Sequence, residues 1–111
     1  MDSRTAPPTQ LSARELAQRL SAGEALTVID VREADELAIA RFPVAVHIAL
    51  ATLPLRLAEL PAGPLVMACH HGGRSMQALK FLRAQGRTDV QNLEGGIDAW
   101  ARDVDPKVPR Y

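Results

Sequence analysis

Cysteine and aromatic residues are scarce in this sequence, and both shortages limit what the protein can be. The chain of 111 residues has one cysteine, Cys69, so no disulfide can form within it. Its aromatic residues are two phenylalanines, one tryptophan and one tyrosine. The core must therefore be packed from aliphatic side chains, and a chain of this length has room for the core of only one domain.

An excess of charge of either sign and a long hydrophobic run are also missing. Lysine and arginine total 13, aspartate and glutamate also total 13, and the basic residues are scattered. This balance gives no reason to expect attraction to nucleic acid or to an anionic membrane. No segment is long enough to span a bilayer, and residues 1–10 lack the apolar stretch of a signal peptide. We therefore expect a soluble protein of a reducing compartment, the cytoplasm.

Segments typical of strands alternate along the chain with segments typical of helices. Ser12 and Glu15 form a capping-box pattern that begins a helix, and Gly23 marks its end. The other predicted elements are strands at residues 26–29, 44–48, 65–68 and 90–93 and helices at residues 50–60, 74–85 and 96–101. This alternation predicts an α/β fold with a parallel sheet covered on both faces.

The boundaries of the domain follow from composition. Residues 1–10 are polar and contain two adjacent prolines, so they are predicted to be a flexible lead-in. The domain is predicted to span residues 11–103, with a charged connection at 31–40 that contains one helical turn. Residues 104–111 are predicted to be a polar tail.

The candidate site is the loop that follows the third predicted strand. Its nucleophile is Cys69, and the residues after it are His70, His71, Gly72, Gly73, Arg74 and Ser75. Ligands of open parallel sheets bind beyond the carboxyl ends of the strands, and a helix start presents unpaired amides. The glycines let the loop curl so that its amides face inward. These amides and Arg74 are expected to stabilise a Cys69 thiolate and an anionic substrate in the same place.

Other interpretations of this loop are weaker. A lone cysteine is most often a small buried apolar residue, but the setting of Cys69 between a strand and a Gly-Gly-Arg helix start favours a nucleophile. A metal site would need more ligands than Cys69 and the adjacent His70 and His71, whose side chains we expect to diverge. The histidines are interpreted as partly exposed loop residues, with substrate contact as the alternative.

Three motifs in order resemble the rhodanese family of sulfurtransferases. The loop matches the family's Cys-x-x-Gly-x-Arg signature from Cys69 to Arg74. Residues 28–32, Val-Ile-Asp-Val-Arg, together with Glu36 resemble the family's Asp-Val-Arg segment. Residues 92–100, which end in Gly-Gly-Ile-Asp-Ala-Trp, resemble its C-terminal segment. The resemblance extends from about Ser12 to Trp100.

The resemblance implies a single rhodanese-like domain with a five-stranded parallel sheet and helices on both sides. It also implies that the Cys69 thiolate takes a sulfur atom from a small anionic donor such as thiosulfate. The resulting persulfide would give that sulfur to cyanide, to a thiol or to an acceptor protein. Residues 70–75 would then form the substrate and persulfide loop, and neither a metal nor an organic cofactor is implied.

Two further segments bear on the site. Where the family commonly has Gly-His-Ile-Pro-Gly-Ala, residues 40–45 have Ala-Arg-Phe-Pro-Val-Ala, so two positions that accept positive φ are lost. Asp30 and Arg32 lie at a predicted strand end, where they could support the pocket or steer anionic donors. We interpret them as a structural ion pair. Gly95 and Gly96 are interpreted as turn residues and Trp100 as part of the core.

Two rival functions remain at this point. Cysteine-dependent phosphatases of related folds place one residue more between cysteine and arginine than the four here, residues 70–73. The tighter ring suits a sulfur atom better than a tetrahedral phosphate, which disfavours phosphatase or arsenate reductase activity. A non-enzymatic interaction module is the other rival. Such rhodanese-like modules typically lose the cysteine, whereas this chain keeps Cys69, Gly72 and Arg74.

Overall fold

A computed structural model of the chain describes residues 9–42 and 44–111. These residues form a five-stranded sheet in the order β1-β5-β4-β2-β3, and every neighbouring pair is parallel. The strands are β1 (Gln10–Leu11), β2 (Thr27–Asp30), β3 (Ala45–His47), β4 (Leu65–Ala68) and β5 (Val90–Leu93). The α-helices are α1 (Ala13–Ser21), α2 (Ala34–Ile39), α3 (Gly73–Ala84) and α4 (Gly96–Asp103). The predicted parallel α/β fold is confirmed.

The core has two clusters, one on each face of the sheet. Successive strand side chains point to opposite faces, so Val28 belongs to one cluster and Ile29 to the other. The first cluster packs α1 and α4 against the sheet and contains Trp100, whose ring centroid lies 4.8 Å from that of Phe42. The second packs α3 and the 3-10 helical segment after β3 against the opposite face. The assignment of Trp100 to the core is confirmed.

Local sequence explains the start and end of α1. The Ser12 hydroxyl accepts the Glu15 N–H at 3.1 Å, and the Glu15 carboxylate accepts the Ser12 N–H at 2.8 Å. This is the predicted capping box, which satisfies two amides that have no partner within the helix. After the helix, Gly23 takes φ +76°, the left-handed conformation that often ends a helix.

The helix predicted at residues 50–60 is wrong. The segment forms two short 3-10 helices, Leu50–Leu55 and Leu57–Glu59. Pro54 lies inside the first of them. Proline has no amide hydrogen to donate and disfavours the α conformation of the residue before it, so a continuous α-helix cannot form there.

The N-terminal boundary lies slightly before the predicted one. Gln10 pairs in β1 with Asn92 of β5, and the Asn92 N–H donates to the Thr9 carbonyl at 2.7 Å. Residues 1–8 of the predicted lead-in lie outside the described residues. The two-residue strand was missed because so short an element shows no periodicity. At the other end, the predicted tail packs on the domain, since Val108 is buried in the first cluster.

The turn that lacks the family's glycines is built without left-handed residues at the positions described. Ala40 has φ −148°, and no described residue other than glycine has positive φ. Phe42 is buried against Trp100, while Pro43 lies outside the described residues. In the described part of the chain, no helix is both long and apolar enough to cross a bilayer.

Candidate active site

Cys69 lies directly after β4, at the carboxyl edge of the sheet, and is 1% exposed. Two donors reach its sulfur. The Gly72 N–H lies 3.0 Å from Sγ, and the hydroxyl of the fully buried Ser75 lies 3.3 Å from it. Both donors come from the loop and first turn of α3, which begins at Gly73. An amide and a hydroxyl at a helix start are donors of the kind that can bind an anionic sulfur.

Gly72 holds the left-handed turn of the loop. Its φ is +109°, a value that L side chains rarely adopt, and its amide donates to Sγ. Its carbonyl accepts the side-chain N–H of Asn92 at 3.1 Å, and the same amide nitrogen donates to Gln10 at 2.9 Å. Asn92 therefore ties the loop to β5 and β1, although the sequence did not single out this side chain as a site residue.

The start of α4 holds the other half of the loop. The N–H groups of Ile97 and Asp98 donate to the carbonyls of Cys69 and His70 at 2.8 and 3.1 Å. The first amides of a helix have no partner inside it, so they are free to bind these carbonyls. Gly96 has φ +61°, and a side chain on it would collide with both carbonyls. The predicted turn glycine is thus also a point of close approach to the active-site loop.

Arg74 binds a carboxylate rather than the sulfur. Its Nη1 and Nη2 donate to the two oxygens of Glu36 at 2.6 and 2.8 Å. This bidentate pair lowers the pKa of Glu36 to about 2, and the Glu33 amide and the Tyr111 hydroxyl add to the effect. The pair also raises the pKa of Arg74. Glu36 stands in the Asp-Val-Arg motif, but the motif did not reveal that it would pair with Arg74.

Asp30 and Arg32 form a buried ion pair at the end of β2. Arg32 is 0% exposed, and its Nε and Nη2 donate to the Asp30 carboxylate at 2.7 to 3.0 Å. The Arg32 carbonyl lies 2.6 Å from Nε2 of His47 on β3. These hydrogen bonds satisfy the polar atoms of two buried, opposite charges, which agrees with the interpretation of Asp30 and Arg32 as a structural ion pair. The remaining guanidinium nitrogen, Nη1, donates to the Tyr111 hydroxyl at 2.9 Å.

His70 lies in a stack of three rings. Its centroid is 3.8 Å from that of His71 and 3.7 Å from that of Tyr111, with the Tyr111 ring nearly parallel at 4°. Burial and the neighbouring His71 lower the pKa of His70. His71 is the more exposed of the two, with 66% of its side chain accessible. Tyr111 was not identified from the sequence, because it lies far along the chain from every motif.

The expectation that the two histidine side chains diverge is wrong. With Asp98 they bring three possible metal-ligand atoms within 4.8 Å of one another. The Asp98 carboxylate, however, accepts the Nε and Nη2 hydrogens of Arg110 at 2.9 and 3.2 Å. A cation at this cluster would have to compete with that guanidinium, so the expectation that the site uses no metal stays a prediction.

Known proteins with the same pattern share the fold over most of the chain. Residues 12–103 match the family model of the Rhodanese-like domain. A sulfurtransferase of Allochromatium vinosum is 37% identical over 100 residues, which cover 89% of this chain and 94% of that protein. A rhodanese-related protein from Thermoplasma volcanium superposes with a TM-score of 0.79 at 28% identity, covering 94% of this chain and all of that one. The human single-domain sulfurtransferase TSTD1 superposes with a TM-score of 0.74 at 28% identity, covering 87% of this chain and 98% of that one.

Proposed function

Because the chain belongs to the rhodanese-like domain family, we propose that it is a sulfurtransferase whose nucleophile is Cys69. The observation that carries the proposal is the pair of donors at Sγ, the Gly72 amide at 3.0 Å and the Ser75 hydroxyl at 3.3 Å. They stabilise an anionic sulfur at the start of a helix. We expect the reaction to run in a reducing compartment, the cytoplasm.

In the first half-reaction, the Cys69 thiolate attacks the outer sulfur of a small anionic donor such as thiosulfate. The new bond joins Sγ to that sulfur, and the sulfur–sulfur bond of thiosulfate breaks. Its electron pair leaves with sulfite. Cys69 then carries a persulfide whose terminal sulfur is anionic, and the amides of residues 70–73 and the helix start are the groups available to stabilise it.

In the second half-reaction, a nucleophile attacks the terminal sulfur of the persulfide. The bond between the two sulfurs breaks, and its electron pair returns to Cys69 as the thiolate. Cyanide serves as the nucleophile in an assay and gives thiocyanate. A low-molecular-weight thiol or the thiol of an acceptor protein is the acceptor we propose in the cell.

Intact-mass measurement tests the covalent step directly. Cys69 is the only thiol of the chain, so any sulfur gained can be assigned to it. We expect the native protein to gain the mass of one sulfur atom with thiosulfate and to lose it with dithiothreitol. Thiosulfate and cyanide together should release thiocyanate catalytically.

Cys69→Ser is the matched variant, because it changes one sulfur to oxygen. We expect it to melt close to the native protein, to gain no mass and to release no thiocyanate above the uncatalysed rate. Native turnover in this variant would end the proposal. If the native protein gains no sulfur from thiosulfate but gains it from another sulfane donor, thiosulfate is not the donor and the mechanism at Cys69 stands.

A further inference from the structure

Cys69 is closed off in the structure. Its side chain is 1% exposed, and no ligand-sized cavity opens anywhere among the described residues. A sulfur donor has to approach Sγ along its line of attack, so part of the surrounding surface has to move before the reaction begins. The candidates for this movement are the side chains at the two ends of the 70–74 loop.

Tyr111 connects those two ends. Its ring stacks on that of His70, the residue directly after Cys69, with the two centroids 3.7 Å apart. Its hydroxyl donates to Glu36 at 2.9 Å, and Glu36 holds Arg74 at the other end of the loop. The same hydroxyl accepts Nη1 of Arg32 at 2.9 Å. One side chain therefore contacts the loop at its start and, through a single carboxylate, at its end.

The hydrogen bonds that hold Tyr111 lie at or near the surface, since the one to Glu36 is exposed and the one from Arg32 is partly buried. Its neighbour Arg110 pairs with Asp98 through a guanidinium that is 54% exposed, and ion pairs of this kind contribute little. Tyr111 itself is 37% exposed, although His70 stacks on its ring and the Arg32 guanidinium carbon lies 5.9 Å from its centroid. On the N-terminal side of Tyr111, the nearest residue buried in the core is Val108, which is 8% exposed. The gate proposed below therefore requires residues 109–111 to move while Val108 stays in place.

We propose that Tyr111 is a gating and positioning residue for the chemistry at Cys69, an inference that rests on the proposed sulfurtransferase function. Stacked on His70, it closes the loop and keeps Arg74 on Glu36. Released, it uncovers the loop, so that an anionic donor can approach Sγ beside the Arg74 guanidinium. Tyr111 lies beyond residues 12–103 that match the family, so membership of the family does not assign this role.

The gate should discriminate by size. A small donor needs a brief opening of the loop, whereas the thiol of an acceptor protein needs the ring moved aside for the whole encounter. Removing the ring should therefore accelerate large reagents more than small ones. Alkylation of Cys69 measures this without any sulfur transfer, because the chain has no other thiol.

The experiment compares Tyr111→Ala, Tyr111→Phe and the native protein with iodoacetamide and with a bulky dye-maleimide. We expect Tyr111→Ala to react about threefold to tenfold faster, the change produced by losing one aromatic pair, with the larger factor for the maleimide. Tyr111→Phe keeps the stack and loses both hydroxyl contacts, so its rates should lie closer to native. In steady state, Tyr111→Ala should change KM for thiosulfate more than kcat.

Lys107→Ala is the control, because Lys107 is exposed in the same segment and makes no side-chain contact among the hydrogen bonds and ion pairs of the described residues. It should alkylate at the native rate. If Tyr111→Ala and Lys107→Ala react equally with both reagents while melting like the native protein, Tyr111 is not a gate. Faster alkylation without any sulfur transfer would leave the gate standing and refute the proposed function instead.

Discussion

Arg74 shows how one side chain can be shared between structure and chemistry. It lies in the loop where a cation would serve an anionic substrate, yet its guanidinium is bound on two nitrogens by Glu36. Such bidentate pairs are stronger than single contacts, and this one is partly shielded, with 17% of the Glu36 side chain exposed. The pair therefore contributes to stability, and the Arg74 guanidinium would have to leave Glu36 to bind an anionic substrate.

The Glu36–Arg74 pair should make stability depend on pH in acid. The pKa of Glu36 is about 2 in the folded protein and 4.5 as its ordinary value. Its contribution is therefore complete above about pH 4.5 and is lost as the pH falls toward 2, because the unfolded chain takes up the proton first. Glu36→Gln should be less stable than the native protein at pH 6.5, and the difference should shrink at pH 3, as measured by urea unfolding.

Glu59→Gln supplies the matched control for that prediction. Glu59 pairs with Arg56 on the surface, where 54% of its side chain is exposed, and exposed pairs contribute about 0.2–1 kcal/mol. At pH 6.5, Glu59→Gln should lower the free energy of unfolding less than Glu36→Gln does. Equal pH dependence in Glu36→Gln and the native protein would contradict the assigned role of the pair.

At the scale of elements, the active-site loop depends on a helix distant from it in sequence. The start of α4 donates two amides to the carbonyls of Cys69 and His70. With these carbonyls bound on the outer side, the loop can direct the Gly72 amide inward to Sγ. The close contact is possible because Gly96 has no side chain where it meets the loop.

Gly96→Ala should disrupt this contact. An alanine at this position would have to adopt positive φ, and its methyl group would collide with two backbone carbonyls. Gly23→Ala is the control, since Gly23 has φ +76° with nothing within 4 Å of an added Cβ. Each variant should lose about 1–2 kcal/mol to left-handed strain. Gly96→Ala should lose about 1–3 kcal/mol more from overpacking, with slower sulfur transfer. If the two variants lose the same free energy of unfolding, measured by heat and by urea, the collision at Gly96 is relieved without cost.

At the scale of the whole molecule, one sheet joins two core clusters. The same strands supply side chains to both, as Val66 and Met67 do from adjacent positions of β4. A change in one cluster therefore disturbs strands on which the other depends. For a single domain of this size, the expected behaviour is one cooperative transition.

Leu79→Ala tests that coupling. Leu79 lies on α3 in the second cluster, whereas the single tryptophan, Trp100, lies in the first. We expect a loss of about 2–5 kcal/mol from the buried truncation. The unfolding midpoint from Trp100 fluorescence should fall as far as that from far-ultraviolet circular dichroism. A fluorescence midpoint that stays native would mean that the faces unfold separately. Leu55→Ala, at a side chain that is 91% exposed, should leave both midpoints unchanged.

Local patterns in the sequence determined the fold class and the position of the proposed nucleophile. A capping box, short apolar runs and a Gly-Gly-Arg segment after a strand are all signals carried by neighbouring residues, and each predicts the structure of its own segment. They predicted α1, four of the five strands and the setting of Cys69. They failed where the signal was too short, as at β1, or where Pro54 altered the type of helix at residues 50–60.

Only the tertiary structure decided which partners meet at the site. Arg74 and Glu36 are 38 residues apart, and Tyr111 and Glu36 are 75 apart, so no periodicity or spacing links them. The parallel sheet brings the ends of β2 and β4 to one edge, and the packing of α4 and the following segment adds Asp98, Arg110 and Tyr111 there. The sequence specified a cysteine at a helix start. Its burial, the pairing of Arg74 with Glu36 and the stacking of Tyr111 on His70 arise from contacts that form only when the chain is folded.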